Sequence, residues 1–300
     1  MIKRTLFFNN PYHLSTKLGQ LLISNKETGE LKTAPIEDLG FVVLDHRQIT
    51  FTLGVMSELA ANNTAVVICN EKHMPASMMF HLDTHQLQNE RFRAQVQAAE
   101  PMKKQLWQQI IKSKIRNQAF VLHNQGRNSA ALLKMATRVK SGDTANEEAQ
   151  AARRYWPDLF GPDFKRERYG IPPNPSLNYA YAILRAAVAR ALCGSGLLPT
   201  LGIHHHNKYN AYCLADDIME PYRPFADAVV IRQIKQYPQY HNMTTAMKAG
   251  LLSVINEDVM INNKKRPLMI ALSETTASLS ACFSKEIKRL KLPEFVKEKL

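Results

Sequence analysis

Paired cysteines, long apolar runs and glycine-rich phosphate loops are all missing from this chain of 300 residues. The four cysteines, Cys69, Cys193, Cys213 and Cys282, stand far apart, with no C-x-x-C pair. Such spacing excludes a disulfide framework and a cysteine-built zinc site, and it fits reduced thiols of the cytoplasm. No stretch is long and apolar enough for a membrane-spanning helix. The apolar run near the N-terminus is too short for a signal peptide, so a soluble, cytoplasmic protein is expected. No glycine-rich loop ends in Gly-Lys-Ser/Thr, which excludes a P-loop NTPase. The His-Glu-x-x-His and Gly-x-Ser-x-Gly signatures of zinc proteases and hydrolases are absent too. Gly194-Ser195-Gly196 begins like a dinucleotide fingerprint, but Pro199 stands at the third glycine's place. That run follows a helical pattern and reads as a helix stop, so no nucleotide-cofactor site is expected.

What the chain does have is ordinary core material and an uneven charge. Hydrophobic residues make up 45% and charged residues 22%, which suits a globular protein and excludes global disorder. Lys and Arg number 39 against 26 Asp and Glu, a net charge of +13. Residues 1–90 hold seven basic and nine acidic side chains, −2 in balance, whereas residues 91–300 hold 32 and 17, or +15. The excess therefore lies in the C-terminal two thirds. It favours a polyanionic partner, nucleic acid before an anionic membrane.

The patterning changes at the same place. Thr5–Phe8, Tyr12–Ser15, Gln20–Ser24, Leu31–Ile36, Phe41–Leu44 and Thr64–Cys69 read as strands, being short and rich in aromatic, aliphatic and hydroxyl residues. One helix is expected over Gln48–Ala61. From His85 to Lys140 glycine and proline almost vanish, and Gln, Lys, Arg, Ala and Leu dominate, as helices prefer. Further helices are expected from Thr144, over Leu177–Leu192, Phe225–Gln236 and Ser278–Leu290. The fold class read from this is α+β: a small β-rich domain over 1–85, then a larger all-helical domain over 86–300.

Three segments carry chemistry-capable residues in odd contexts. On a helix, Glu148 shares a face with Ala152, Tyr155 and Leu159. A carboxylate there needs a partner or a metal, or it is a helix N-terminal acid eased by the macrodipole; Glu147 points elsewhere, to solvent. In Gly202-Ile203-His204-His205-His206, at most one or two imidazoles can face a common ligand. In Asp216-Asp217-Ile218-Met219-Glu220, acids three or four apart face one side and can share a divalent ion. With His205 added, the oxygen–nitrogen set suits Mg²⁺ or Mn²⁺ better than structural zinc. An acidic metal site within a basic domain is what phosphodiester chemistry requires.

At these residues the chain resembles the CRISPR adaptation integrases, the CRISPR-associated endonucleases of spacer acquisition. The likeness is most specific in Glu148-x-x-Ala-Ala-Arg-x-Tyr155, in Gly196 to His205, and in Leu214 to Pro224. Trp107 to Gln118 and Leu177 to Tyr181 support it, and the run after His205 is most similar to type II members. The resemblance implies a metal triad of Glu148, His205 and Glu220, with Asp217 as a supporting acid. The family histidine stands three residues after a glycine, which selects His205. Ala149 replaces a glycine common in relatives. The resemblance further implies a β-sandwich-like N-terminal domain, a helical catalytic domain, and a homodimer. Such dimers form a heterohexamer with a second small adaptation protein on double-stranded DNA, the prespacer fragment and the CRISPR repeat.

The activity so expected is metal-dependent DNA cleavage and strand transfer, with Mg²⁺ or Mn²⁺ as cofactor. The 3′-hydroxyl of a short DNA fragment attacks a phosphodiester at the repeat boundary. Lys112, Lys114, Arg138, Lys140, Arg153 and Arg154 are the candidate phosphate contacts. The competing readings are a general metal-dependent nuclease of DNA repair or RNA processing, and a non-catalytic DNA-binding scaffold.

Overall fold

The computed structural model describes residues 3–79, 85–237 and 239–296. The chain divides into two compact units, Met1–Gln86 and Leu87–Leu300. The α+β order expected from the patterning is present: sheets first, then helices.

Among its described residues the first unit holds eight strands: β1 Arg4–Phe8, β2 Tyr12–Lys17, β3 Gln20–Asn25, β4 Leu31–Pro35, β5 Leu39–Leu44, β6 Thr50–Phe51, β7 Ala65–Cys69 and β8 Pro75–Met79. One sheet has the order β1-β5-β7-β8 and the other β4-β3-β2-β6. Strand β5 is buried along its whole length between parallel neighbours β1 and β7, which explains its unbroken apolar run. In β3 burial alternates, as period-2 side chains require when one face looks into a core. Leu14 and Leu21 from one sheet meet Val42 and Val66 from the other, with Val55 and Leu59 of helix α1 (Leu53–Ala61), in one core. The helix expected over Gln48–Ala61 thus begins only at Leu53, because Thr50–Phe51 pairs with β2 as a strand. Strand β8 was not anticipated; its Pro-Ala-Ser-Met-Met sequence lacks the β-branched residues that signal a strand.

In the second unit the helices are α2 Gln88–Val96, α3 Glu100–Asn124, α4 Ala130–Arg138, α5 Glu147–Phe160, α6 Asn174–Gly194, α7 Cys213–Met219, α8 Arg223–Gln236, α9 Thr245–Leu251 and α10 Leu268–Phe283. Helix α3 has Pro101 in its first turn, where the missing N–H is no loss. Helix α6 ends at Gly194, with Gly196 at φ +70° beyond it, the stop read from the sequence. The unit is not all helical: β9 Asp258–Ile261, β10 Lys264–Pro267 and β11 Glu294–Phe295 form an antiparallel sheet. Asn262 and Asn263 both take positive φ in its hairpin, the conformation of a type I′ turn. Helix α10 stops at Phe283 rather than running to Leu290, with Lys285 in the left-handed region. Helices α4, α5 and α8 pack on α3, and α6 packs on α7, α8 and α10. Among the described residues no helix is long and apolar enough to cross a membrane.

Candidate active site

Helix α3 brings a lysine to the two glutamates singled out in the sequence. Lys114 is 9% exposed, and its Nζ lies 2.5 Å from Oε1 of Glu148 and 2.5 Å from Oε2 of Glu220. The first contact is an aligned hydrogen bond. The second is an ion pair off the hydrogen-bonding line, so Glu220 Oε2 is buried without an aligned donor. Glu220 opens a short 3-10 turn after α7, and Arg223 Nε donates to its Oε1 at 2.7 Å. Burial opposes ionisation of Glu220, but Arg223 and Lys114 outweigh it and hold its carboxyl at about 2. Burial likewise opposes the Lys114 charge, yet Glu220 and Glu148 prevail and its pKa is raised. Glu220 and the ammonium are therefore both charged at neutral pH.

Glu148 is set by the start of α5. Asp143 accepts from the backbone N–H of Glu147 at 2.9 Å and of Glu148 at 3.0 Å, capping amides that have no helical partner. Asn146 is left-handed at φ 54° and accepts from Ala149 N. Glu147, expected in solvent, is buried and paired with Arg138 at 3.0 Å. The burial of α4 against α5 puts it there.

His205 belongs to a loop folded around one carboxylate. Asp217, fully buried, accepts from the backbone N–H of Ile203, His204 and His205 at 2.6, 2.9 and 3.3 Å. Its Oδ1 also meets His205 Nδ1 at 2.5 Å. A carboxylate only accepts, so the proton in that hydrogen bond belongs to Nδ1, and in the neutral ring Nε2 carries the lone pair. The hydrogen bond also raises the pKa of His205 against the effect of burial. Asp217 is therefore committed to the loop, which differs from the expectation that it shares an ion with Glu220. Asp216 points away as well, bonded to Arg185 Nε at 2.7 Å and Asn210 Nδ2 at 2.7 Å. A Cβ at Gly202 would collide with the His205 carbonyl and press on Asp217 Oδ2. This close approach accounts for a glycine three residues before the histidine.

Trp107, 1% exposed, supports the loop from below. His204 stacks flat on it at 4.2 Å and 6°, and His205 stands edge-on to it at 5.7 Å and 89°. Burial, then the neighbouring His205, lowers the pKa of His204.

Among the described residues no group of three His, Cys, Asp or Glu side chains is drawn together as a metal cage. The donor chemistry nevertheless fits a hard divalent cation: two carboxylates already gathered round one positive charge, a buried oxygen lacking an aligned donor, and an oriented imidazole.

The remaining expected phosphate contacts are scattered. Lys140, Arg153 and Arg154 are exposed, with Arg154 near Asp158 at 3.5 Å. Arg138 is engaged by Glu147, and Lys112 lines a cavity of about 690 Å³ with Arg116, Phe120 and Leu133. Lys114 is off the surface altogether, because its helix face is the buried one. Trp107, Ile110, Ile111 and Lys114 share that apolar stripe, the signal that separates Lys114 from solvated lysines. Arg223 and Asp143 carried no such signal.

Residues 6–254 match the family model described as CRISPR associated protein Cas1. The chain is 38% identical to a CRISPR-associated endonuclease Cas1 of Neisseria meningitidis serogroup C (strain 8013), over 99% of this chain and 97% of that protein. Its fold is similar to a casposase bound to integration product, with a TM-score of 0.79, 18% identity, and coverage of 96% and 92% of the two chains. A chain of a Cas6-RT-Cas1–Cas2 complex is similar with a TM-score of 0.72 and 21% identity, over 95% of this chain and 35% of that one. The match to most of the chain and the full-length identity to the Neisseria protein show that this chain belongs to the CRISPR associated protein Cas1 family.

Proposed function

We propose that this chain is a metal-dependent DNA endonuclease and integrase of CRISPR adaptation, which joins the 3′-hydroxyl ends of short DNA fragments into the CRISPR repeat. The observation that carries the reading is the convergence of Glu148 and Glu220 on one positive charge, beside an imidazole oriented by Asp217. In this reading Glu148, Glu220 and Nε2 of His205 hold Mg²⁺ or Mn²⁺. Such an ion supplies Lewis-acid stabilisation of charge on the phosphoryl oxygens. Asp217 fixes the ring of His205, and Arg223 keeps Glu220 ionised and oriented. Exposed Lys140, Arg153 and Arg154 hold phosphates and fix register, a contribution that falls with salt. The attacking 3′-hydroxyl forms a new P–O bond as the bond to the leaving 3′-oxygen breaks, so no outside energy source is needed.

The partners in this reading are double-stranded DNA, a second copy of the chain, and a second small adaptation protein in a heterohexamer. The similar chains are from a casposase bound to integration product and a complex that contains Cas2, which supports DNA and a Cas2-type partner. The test is joining of a labelled duplex to a supercoiled plasmid bearing repeats. Glu148→Ala is expected to abolish joining while leaving DNA binding within about twofold, since the change lies off the exposed basic surface. Joining that survived Glu148→Ala or His205→Ala would refute the site. Cleavage without any dependence on a free 3′-hydroxyl would leave a general nuclease instead.

A further inference from the structure

The chain segments that carry the two glutamates are tied together a second time, at a place the proposed chemistry does not use. Tyr155 stands seven residues after Glu148, and Asp227 stands seven residues after Glu220. Within α5, seven residues is about two helical turns, or about 10 Å of rise, and returns a side chain to nearly the same face, while Asp227 lies on α8, the helix that the 3-10 turn of Glu220 leads into. Tyr155 Oη donates to Asp227 Oδ2 at 2.8 Å. Tyr181 Oη, from α6, donates to Asp227 Oδ1 at 2.5 Å. All three side chains are buried, with Asp227 only 1% exposed.

Lys114 therefore joins Glu148 to Glu220 at one level, and about two turns further along α5 Tyr155 joins Asp227, on the helix that follows Glu220. With one tie, two segments can pivot about it freely; a second tie removes most of that freedom and limits how far Glu148 and Glu220 can move apart. Tyr181 adds a third helix to the lower tie and supports the upper one as well. The Arg223 guanidinium that binds Glu220 lies over the Tyr181 ring, 4.6 Å from its centroid. A buried carboxylate contributes less to stability than an apolar group of the same shape, but its hydrogen bonds have direction, which apolar contacts lack. Geometry is thus what this triad provides.

We infer that Asp227, acting through Tyr155 and Tyr181, is a positioning residue that sets the spacing of Glu148 and Glu220, and with it the strength and selectivity with which that pair takes a divalent cation. The inference rests on the metal-site reading above.

The test uses the full chain and calorimetric titration with Mn²⁺ and with Mg²⁺, alongside the joining assay. Tyr155→Phe and Tyr181→Phe each remove one hydroxyl and keep the ring. Each is expected to weaken Mn²⁺ binding by up to about tenfold, the low end of what losing a group bonded directly to a ligand costs, since neither hydroxyl touches a glutamate. The ratio of Mn²⁺ to Mg²⁺ affinity should shift, and joining should recover at high Mn²⁺. Tyr222→Phe is the matched control: its hydroxyl is equally buried and bonds Thr275 at 2.6 Å, but it does not tie the two glutamate-bearing segments. It should leave both affinities unchanged. Wild-type affinities in both tyrosine variants, or losses no larger than in Tyr222→Phe, would overturn the inference while leaving the metal site standing. Should the wild-type chain itself take up neither ion, the metal reading fails and the inference fails with it. Should one tyrosine variant not fold, the other decides.

Discussion

Replacing Lys114 by methionine removes the charge shared by Glu148 and Glu220 while keeping much of the side chain's bulk. The side chains of Lys114 and Glu220 are 11% and 5% exposed. Removing one partner of a buried pair costs about 3–5 kcal/mol, because the other charge is left without compensation. Two features reduce that here: Arg223 still neutralises Glu220 at 2.7 Å, and the Glu148 side chain is 25% exposed. A loss of about 2–3 kcal/mol remains. For a folding unit of this size it lowers the melting midpoint by about 4–12 °C. Tryptophan fluorescence reads it cleanly, since Trp107 and Trp156 both belong to the second unit and the chain has no other tryptophan. Adding Glu148→Gln to Lys114→Met removes the stranded charge and should recover at least half the loss. A single-variant loss below about 0.5 kcal/mol, or strict additivity of the two changes, would refute a buried, mutually dependent pair.

Three further outcomes follow from the same geometry. Asp143→Ala strips the cap from two amides of α5 and should lower stability in urea by about 1–2 kcal/mol; an unchanged midpoint would mean the first turn needs no cap. Gly202→Ala forces a methyl against the His205 carbonyl and should cost about 1–3 kcal/mol, and an unaltered chain by denaturation would show that the loop has room. Burial raises the Asp227 carboxyl from 3.8 to about 6, so the folded chain holds that proton more tightly than the unfolded one. This contribution is complete below about pH 4 and is lost as pH climbs through 6, about 3 kcal/mol in all. Asp227→Asn abolishes that slope, and parallel stability curves for variant and wild type from pH 4 to 7 would contradict it.

Where local chemistry decides structure, the sequence was legible. The alternation in Gln20–Asn25 and the solid apolar run of β5 reveal strands because burial of one face or two leaves those patterns. The stop at Gly194 is visible because glycine suits the left-handed conformation beyond a helix end better than any other residue. Strand β8 escaped notice because its pairing with β7 is a tertiary decision, and α10 ended early for the same kind of reason. The candidate site follows this division. Glu148 and Glu220 are visible as acids in odd contexts, while the choice of His205 among three adjacent histidines, and the triad as a set, come from the family resemblance. That Asp217 serves the loop rather than Glu220, that Glu147 is buried, and that Lys114 lies between two acids all depend on which helices meet.

The Lys114 ammonium has a bearing on the order of events as the protein matures. Domains whose acidic or thiolate ligands meet only through an ion stay unfolded until that ion arrives. In this chain the neutralising charge is covalently part of α3, so it cannot dissociate and its local concentration exceeds that of any ion in solution. The second unit therefore carries its own internal counter-charge at this place, and a chelator is expected to leave its melting midpoint unchanged. In the metal reading proposed above, an arriving ion would compete with this tethered occupant, so occupancy would answer to ion supply while folding would not.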